Sequence, residues 1–90
     1  MPGDVVLSLP AALVALFPGC PDRHVVEAET VGAAIAAVDR MWPGLRDRLC
    51  DSSPSVRRHI RIFVAGEHAG LDTKLAAGDE VFVLTAISGG

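Results

Sequence analysis

The chain has 90 residues, half of them apolar, a net charge of −3 and a sequence pI near 5.4. That length suits one small domain, and the apolar content excludes a disordered tail. The acidic balance argues against a nucleic-acid binder, which needs cations to neutralise phosphates, and no apolar run approaches the ~20 residues of a membrane span.

Val5, Leu7 and Leu9 alternate with Val6 and Ser8. This period of two predicts a strand with one buried face, closed by Pro10, which cannot donate to a ladder. Leu13, Leu16 and Phe17 fall at helical spacing and predict one short turn of helix before Pro18, Gly19 and Pro21 break the chain. Residues 23–29 read as a second strand with Val26 and Ala28 inward, and its compact connection to the first suggests an antiparallel pair. Thr30 is a fitting N-cap. Val31, Ile35, Val38 and Trp42 then mark one face of an α-helix, ended or kinked at Pro43-Gly44. Residues 45–50 add a further turn with Leu45 and Leu49 on one side, and 51–55 read as a surface loop.

Residues 57–65 carry the clearest strand pattern. Ile60, Ile62 and Val64 face one way; His59, Arg61 and Phe63 face the other. Residues 66–70 read as a turn, and Leu71 to Leu75 as a single helical turn. Gly78-Asp79 is a tight-turn pair leading into a last strand over 80–86, where Val81 and Val83 alternate with Phe82 and Leu84. One main amphipathic helix must therefore cross a small sheet. The first and last strands, both strongly apolar, suit its centre. If those two pair in parallel, the fold is an α+β β-grasp roll with a mixed sheet of four to five strands; that pairing rests on fold-level analogy, not on periodicity.

Catalytic and metal chemistry find little support. Cys20 and Cys50 form no CxxC, and with His24, His59 and His68 they lack the spacing of a zinc site. Both thiols are expected to stay reduced, and the three histidines to be solvated strand or turn residues. No carboxylate pair suggests acid–base work and no phosphate-binding GxxxxGK[ST] is present, so no cofactor, metal or ATP site is expected in the chain itself. Arg46, Arg48, Arg57, Arg58 and Arg61 read as a solvated face or, in the minority reading, as a docking surface for an acidic partner. Residues 4–17 begin with Asp4, lack a basic leader and contain Pro10, so no secretory signal is expected there, and a cytoplasmic location is expected.

The sequence closes on Ile87-Ser88-Gly89-Gly90 soon after the last strand. Glycine has no Cβ, so a diglycine passes a narrow channel and lets a carboxylate enter another enzyme's active site. Together, Gly78-Asp79-Glu80-Val81, the apolar strand after it and Ala86-Ile87-Ser88-Gly89-Gly90 resemble the MoaD/ThiS group of ubiquitin-like sulfur carriers. Trp42-Pro43-Gly44-Leu45-Arg46 and residues 58–64 are similar to the longer MoaD-like and CysO-like members. The resemblance spans Val5 to Gly90. It departs at Thr85-Ala86, where many relatives carry proline, and at Glu67–Leu71, which is shorter and plainer.

The resemblance implies a β-grasp domain over 1–86 with a flexible tail over 87–90, and a non-catalytic carrier. Gly90 would be adenylated by an ATP-dependent, ubiquitin-activating-type enzyme and converted to a thiocarboxylate, which donates sulfur to an acceptor biosynthetic enzyme. The open pathways are molybdopterin, cysteine or methionine, thiamine thiazole, and secondary metabolites. Gly89, Ser88 and Ile87 would be gripped along the tail. Phe63, Phe82, Leu84 and Arg61, if outward, would form a partner-docking patch. The alternatives are a protein modifier joined through Gly90 to target lysines, and a plain interaction module with an accidental diglycine.

Overall fold

The computed structural model describes residues 3–50 and 59–85. The expected loop at 51–55, the start of the strand expected from residue 57, the tail over 87–90 and the domain boundary at residue 86 lie outside the described residues.

The described residues form five strands, β1 (Asp4–Ser8), β2 (Arg23–Glu27), β3 (Ile60–Val64), β4 (Glu67–His68) and β5 (Glu80–Thr85), and buried apolar residues at every second position mark β1, β3 and β5. They form one sheet in the order β2-β1-β5-β3-β4. β1 and β5 run parallel at its centre, with Leu7 beside Val81; every other pairing is antiparallel. The parallel pair expected by analogy is therefore present, and the architecture is the β-grasp.

The described residues also form three helices: α1 (Ala11–Val14), α2 (Val31–Met41) and α3 (Leu45–Leu49). α2 begins where Thr30 Oγ1 accepts the Ala33 N–H at 3.1 Å, a cap that contributes about 1 kcal/mol. It buries Val31, Ala34, Ile35 and Val38 against the inner face of the sheet, where Val5, Leu7, Ile62, Val81 and Val83 are 0–1% exposed. Each such side chain contributes roughly 1.5–3 kcal/mol of transfer free energy. Trp42 packs half-buried at the core edge. Gly44, at φ +100°, turns the chain into α3; Asp39 Oδ1 holds that corner by accepting the N–H groups of Gly44 (3.2 Å) and Arg46 (3.0 Å). Leu45 and Leu49 are fully buried beneath it.

Several expectations need correction. β2 ends at Glu27, two residues early, although Val26 and Ala28 do point inward. His24 is not solvated: it is 5% exposed, because position 24 shares the inward parity of Val26. The short helical turn expected through Leu13, Leu16 and Phe17 ends at Val14, and Leu16 beyond it is 53% exposed. Residues 66–70 are more than a turn. Ala65 and Gly66 both have positive φ (53° and 81°), as a two-residue hairpin turn requires, and the chain doubles back as β4. No helix forms over 71–75; Leu71 and Leu75 instead cap the core from a loop tied to α2 by Gly32 N–H to Leu71 O (2.9 Å).

Candidate functional site

α2 covers one face of the sheet, and among the described residues no helix covers the other. On that open face Phe63 lies directly opposite Phe82, and Arg61 directly opposite Leu84, across the antiparallel β3–β5 pair. The four candidate docking residues therefore make a two-by-two block on adjacent strands. Phe82 is 43% and Leu84 47% exposed; Phe63 is half-buried and Arg61 exposed. Their outward direction is forced by parity, because Val81 and Val83 of the same strand fill the core.

His68 extends the block. Its ring meets that of Phe63 edge-on, with centroids 5.4 Å apart and planes at 86°, a favoured aromatic geometry. Sequence reasoning missed this role for His68, because β4 itself was missed. On the other side, Ser8 lies next to Phe82 and donates its hydroxyl to Glu80 Oε2 at 2.7 Å. Arg23 pairs with the same carboxylate at 3.6 Å. The apolar block is thus bordered by a hydrogen-bonded polar row, in the manner of a docking surface with a wet rim.

The chain leaves the sheet at the edge of this block, since Thr85 follows Leu84 directly. Thr85 also borders a groove lined by Leu13, Leu16, Ile60, Arg48 and His59. The sequence marked the exposed Leu16 only as part of a short helical turn, not as a site residue. Ile87, Ser88, Gly89 and Gly90 lie outside the described residues.

Cys20 and Cys50 both remain thiols and are buried. Cys20 Sγ sits 3.5 Å from His24 Nε2. Burial pushes the Cys20 thiol above its ordinary value, so it stays protonated at neutral pH and is a poor nucleophile. Among the described residues no group of histidine, cysteine and carboxylate side chains is placed to hold a metal ion, and no helix is long and apolar enough to cross a membrane.

A helix laid across a five-stranded sheet with a central parallel pair, and an open apolar face beside the last strand, define a ubiquitin-like β-grasp protein. The ThiS family model matches residues 14–90, and the chain belongs to the ThiS family. It is similar to the sulfur carrier protein CysO of Mycobacterium tuberculosis, with 38% identity over 68 residues, 69% of this chain and 73% of the relative. It is also similar to small archaeal modifier protein 1 of Haloferax volcanii, with 36% identity over 68% of this chain and 70% of the relative; the crystal structure of that protein superposes with a TM-score of 0.81, covering 98% of this chain and all of the other. A chain of the BexX/CysO complex from Amycolatopsis orientalis matches with a TM-score of 0.83 at 26% identity, covering 96% and 99% of the two chains. The family is one of small sulfur carriers and ubiquitin-like modifiers.

Proposed function

We propose that the protein is a sulfur carrier whose reacting group is the Gly90 carboxylate, and that it is a substrate rather than an enzyme. The observation that carries this reading is a family match that runs through the diglycine to residue 90. In the first step a carboxylate oxygen attacks the α-phosphorus of ATP, pyrophosphate leaves, and an acyl-adenylate forms on Gly90. Sulfide then attacks the acyl carbon, the bond from that carbon to the AMP oxygen breaks, AMP leaves, and Gly90 is left as a thiocarboxylate. Neither step uses a side chain of the folded domain. The domain's part is to present Phe63, Phe82, Leu84 and Arg61 to the adenylating enzyme, and later to the acceptor enzyme, while residues 87–90 reach the reaction centre. Glycine at 89 and 90 keeps that tail narrow enough for close approach.

The test is ATP–pyrophosphate exchange by a ubiquitin-activating-type enzyme from the same genome. Exchange should depend on the added protein and vanish when Gly90 is deleted. Exchange unaffected by that deletion would sink the proposal. The acceptor is a biosynthetic enzyme of the molybdopterin, cysteine or methionine, thiamine or secondary-metabolite pathways.

The 36% identity to an archaeal modifier protein favours a second reading, in which the same adenylate passes Gly90 to target lysines. The two share their activation step and differ in product. Lysine adducts recovered with an N-terminally tagged chain mark the modifier; a free thiocarboxylate pool marks the carrier.

A further inference from the structure

β2 is an edge strand, and its free side has a charge pattern that is complementary to itself. Two backbone bonds establish which groups face outward. The Val6 N–H goes to Asp79 O (3.0 Å), toward β5, and the Leu9 N–H goes to Asp22 O (2.7 Å), toward β2. Residues 5, 7 and 9 therefore bond across to 26, 24 and 22. Arg23, Val25 and Glu27 aim their N–H and C=O groups at the open edge. Among the described residues nothing bonds to those groups from outside.

The side chains of the same three residues are exposed. Val25 is 67% exposed, the largest value among the exposed large apolar residues. Glu27 lies directly opposite Asp4 in a non-hydrogen-bonded pair, the closer kind of cross-strand pair. Like charges so placed repel, and no described cation lies within ion-pair distance of either one. Natural edges usually carry charge to block pairing. Here a cation at position 23 and an anion at position 27 lie symmetrically about Val25, so an antiparallel second copy meets each charge with its opposite.

We propose that the protein self-associates through β2, antiparallel about Val25. Arg23 then faces Glu27 of the second copy, Val25 faces Val25, and three pairs of outward residues exchange six backbone hydrogen bonds. The incoming Arg23 also relieves the Asp4–Glu27 repulsion. The two-fold axis is normal to the sheet, so a continuous ten-stranded sheet forms with both Phe82–Leu84 blocks on the same side. A partner enzyme would meet two docking faces at once. A five-residue edge buries far less than a standard interface, so the association is weak and falls with added salt.

Sedimentation equilibrium of the full chain at low salt tests this. The average mass should rise from 9.4 kDa toward twice that value as concentration increases. Arg23→Glu and Glu27→Arg each turn both cross-copy pairs repulsive and should weaken self-association roughly tenfold or more. An equimolar mixture of the two single variants, in which every pair is again opposite in sign, should recover it, as should the double reversal. Amide exchange of Arg23, Val25 and Glu27 in the unmodified protein should slow with concentration, which requires no variant. A mass that stays at the monomer value, amide exchange that ignores concentration, or a mixture no more associated than its components overturns the proposal.

Discussion

Replacing Phe82 by alanine should separate docking from folding. Phe82 is 43% exposed, and a phenylalanine carries ~200 Å² of surface, so about 85 Å² remains for a partner to cover. At ~25 cal/mol per Å² this amounts to about 2 kcal/mol, or roughly 30-fold in affinity. The fold should suffer much less. The side chain lies on the open face beside Phe63 and Ser8, and losing such cross-strand contacts costs about 1 kcal/mol, or ~5 °C in melting temperature. The assay is the dependence of ATP–pyrophosphate exchange on carrier concentration with the cognate activating enzyme. KM should rise about 30-fold with kcat little changed, because the block lies outside the reaction centre. A folded Phe82→Ala protein with an unchanged KM would refute the docking role of the sheet face.

Two other changes probe the core. Ile62 is 1% exposed on the inner face of β3, and Ile62→Ala should cost about 2–5 kcal/mol, a large part of the ~5–15 kcal/mol that holds a domain together; urea unfolding reads this directly, and a loss below ~1 kcal/mol would show the core to be wrongly assigned. Cys20 binds its proton more tightly folded than unfolded, so its contribution to stability is present below the ordinary thiol range and fades as pH rises through the raised folded value. The urea midpoint of the unmodified protein should therefore fall more between about pH 7 and about pH 10 than that of Cys20→Ala; equal falls in both would remove the burial effect.

Much of the fold was legible because burial on one face imposes parity. Val5 and Leu7, Ile60 to Val64, and Val81 to Val83 alternate without exception, and Val31, Ile35 and Val38 mark a helical stripe. The same parity placed Phe82 and Leu84 outward and brought Phe63 and Arg61 beside them. It also pointed His24 inward, but a polar residue type weighed against the pattern; the compensation is a side-chain contact with Cys20 across the turn into β2, which no periodicity signals. β4 consists of two polar residues, Glu67 and His68, with no apolar alternation, and its only local signal is the Ala65-Gly66 turn. The 71–75 segment has helical spacing at Leu71 and Leu75, yet Leu71 O and Thr73 O accept the N–H groups of Gly32 and Val31 and the Leu75 N–H goes to Glu29 O, a tertiary choice that local sequence does not encode. The parallel contact between β1 and β5 joins residues over seventy positions apart, so it became visible only through resemblance to a known fold.

The central claim is that Gly90 carries sulfur, and intact mass spectrometry tests it most directly. The protein, purified without a C-terminal tag, is weighed before and after incubation with ATP, the activating enzyme and sulfide. The account predicts a gain equal to exchanging one oxygen for sulfur, absent when Gly90 is deleted. No gain with an enzyme that demonstrably adenylates the protein, or a gain that survives deletion of Gly90, would contradict it.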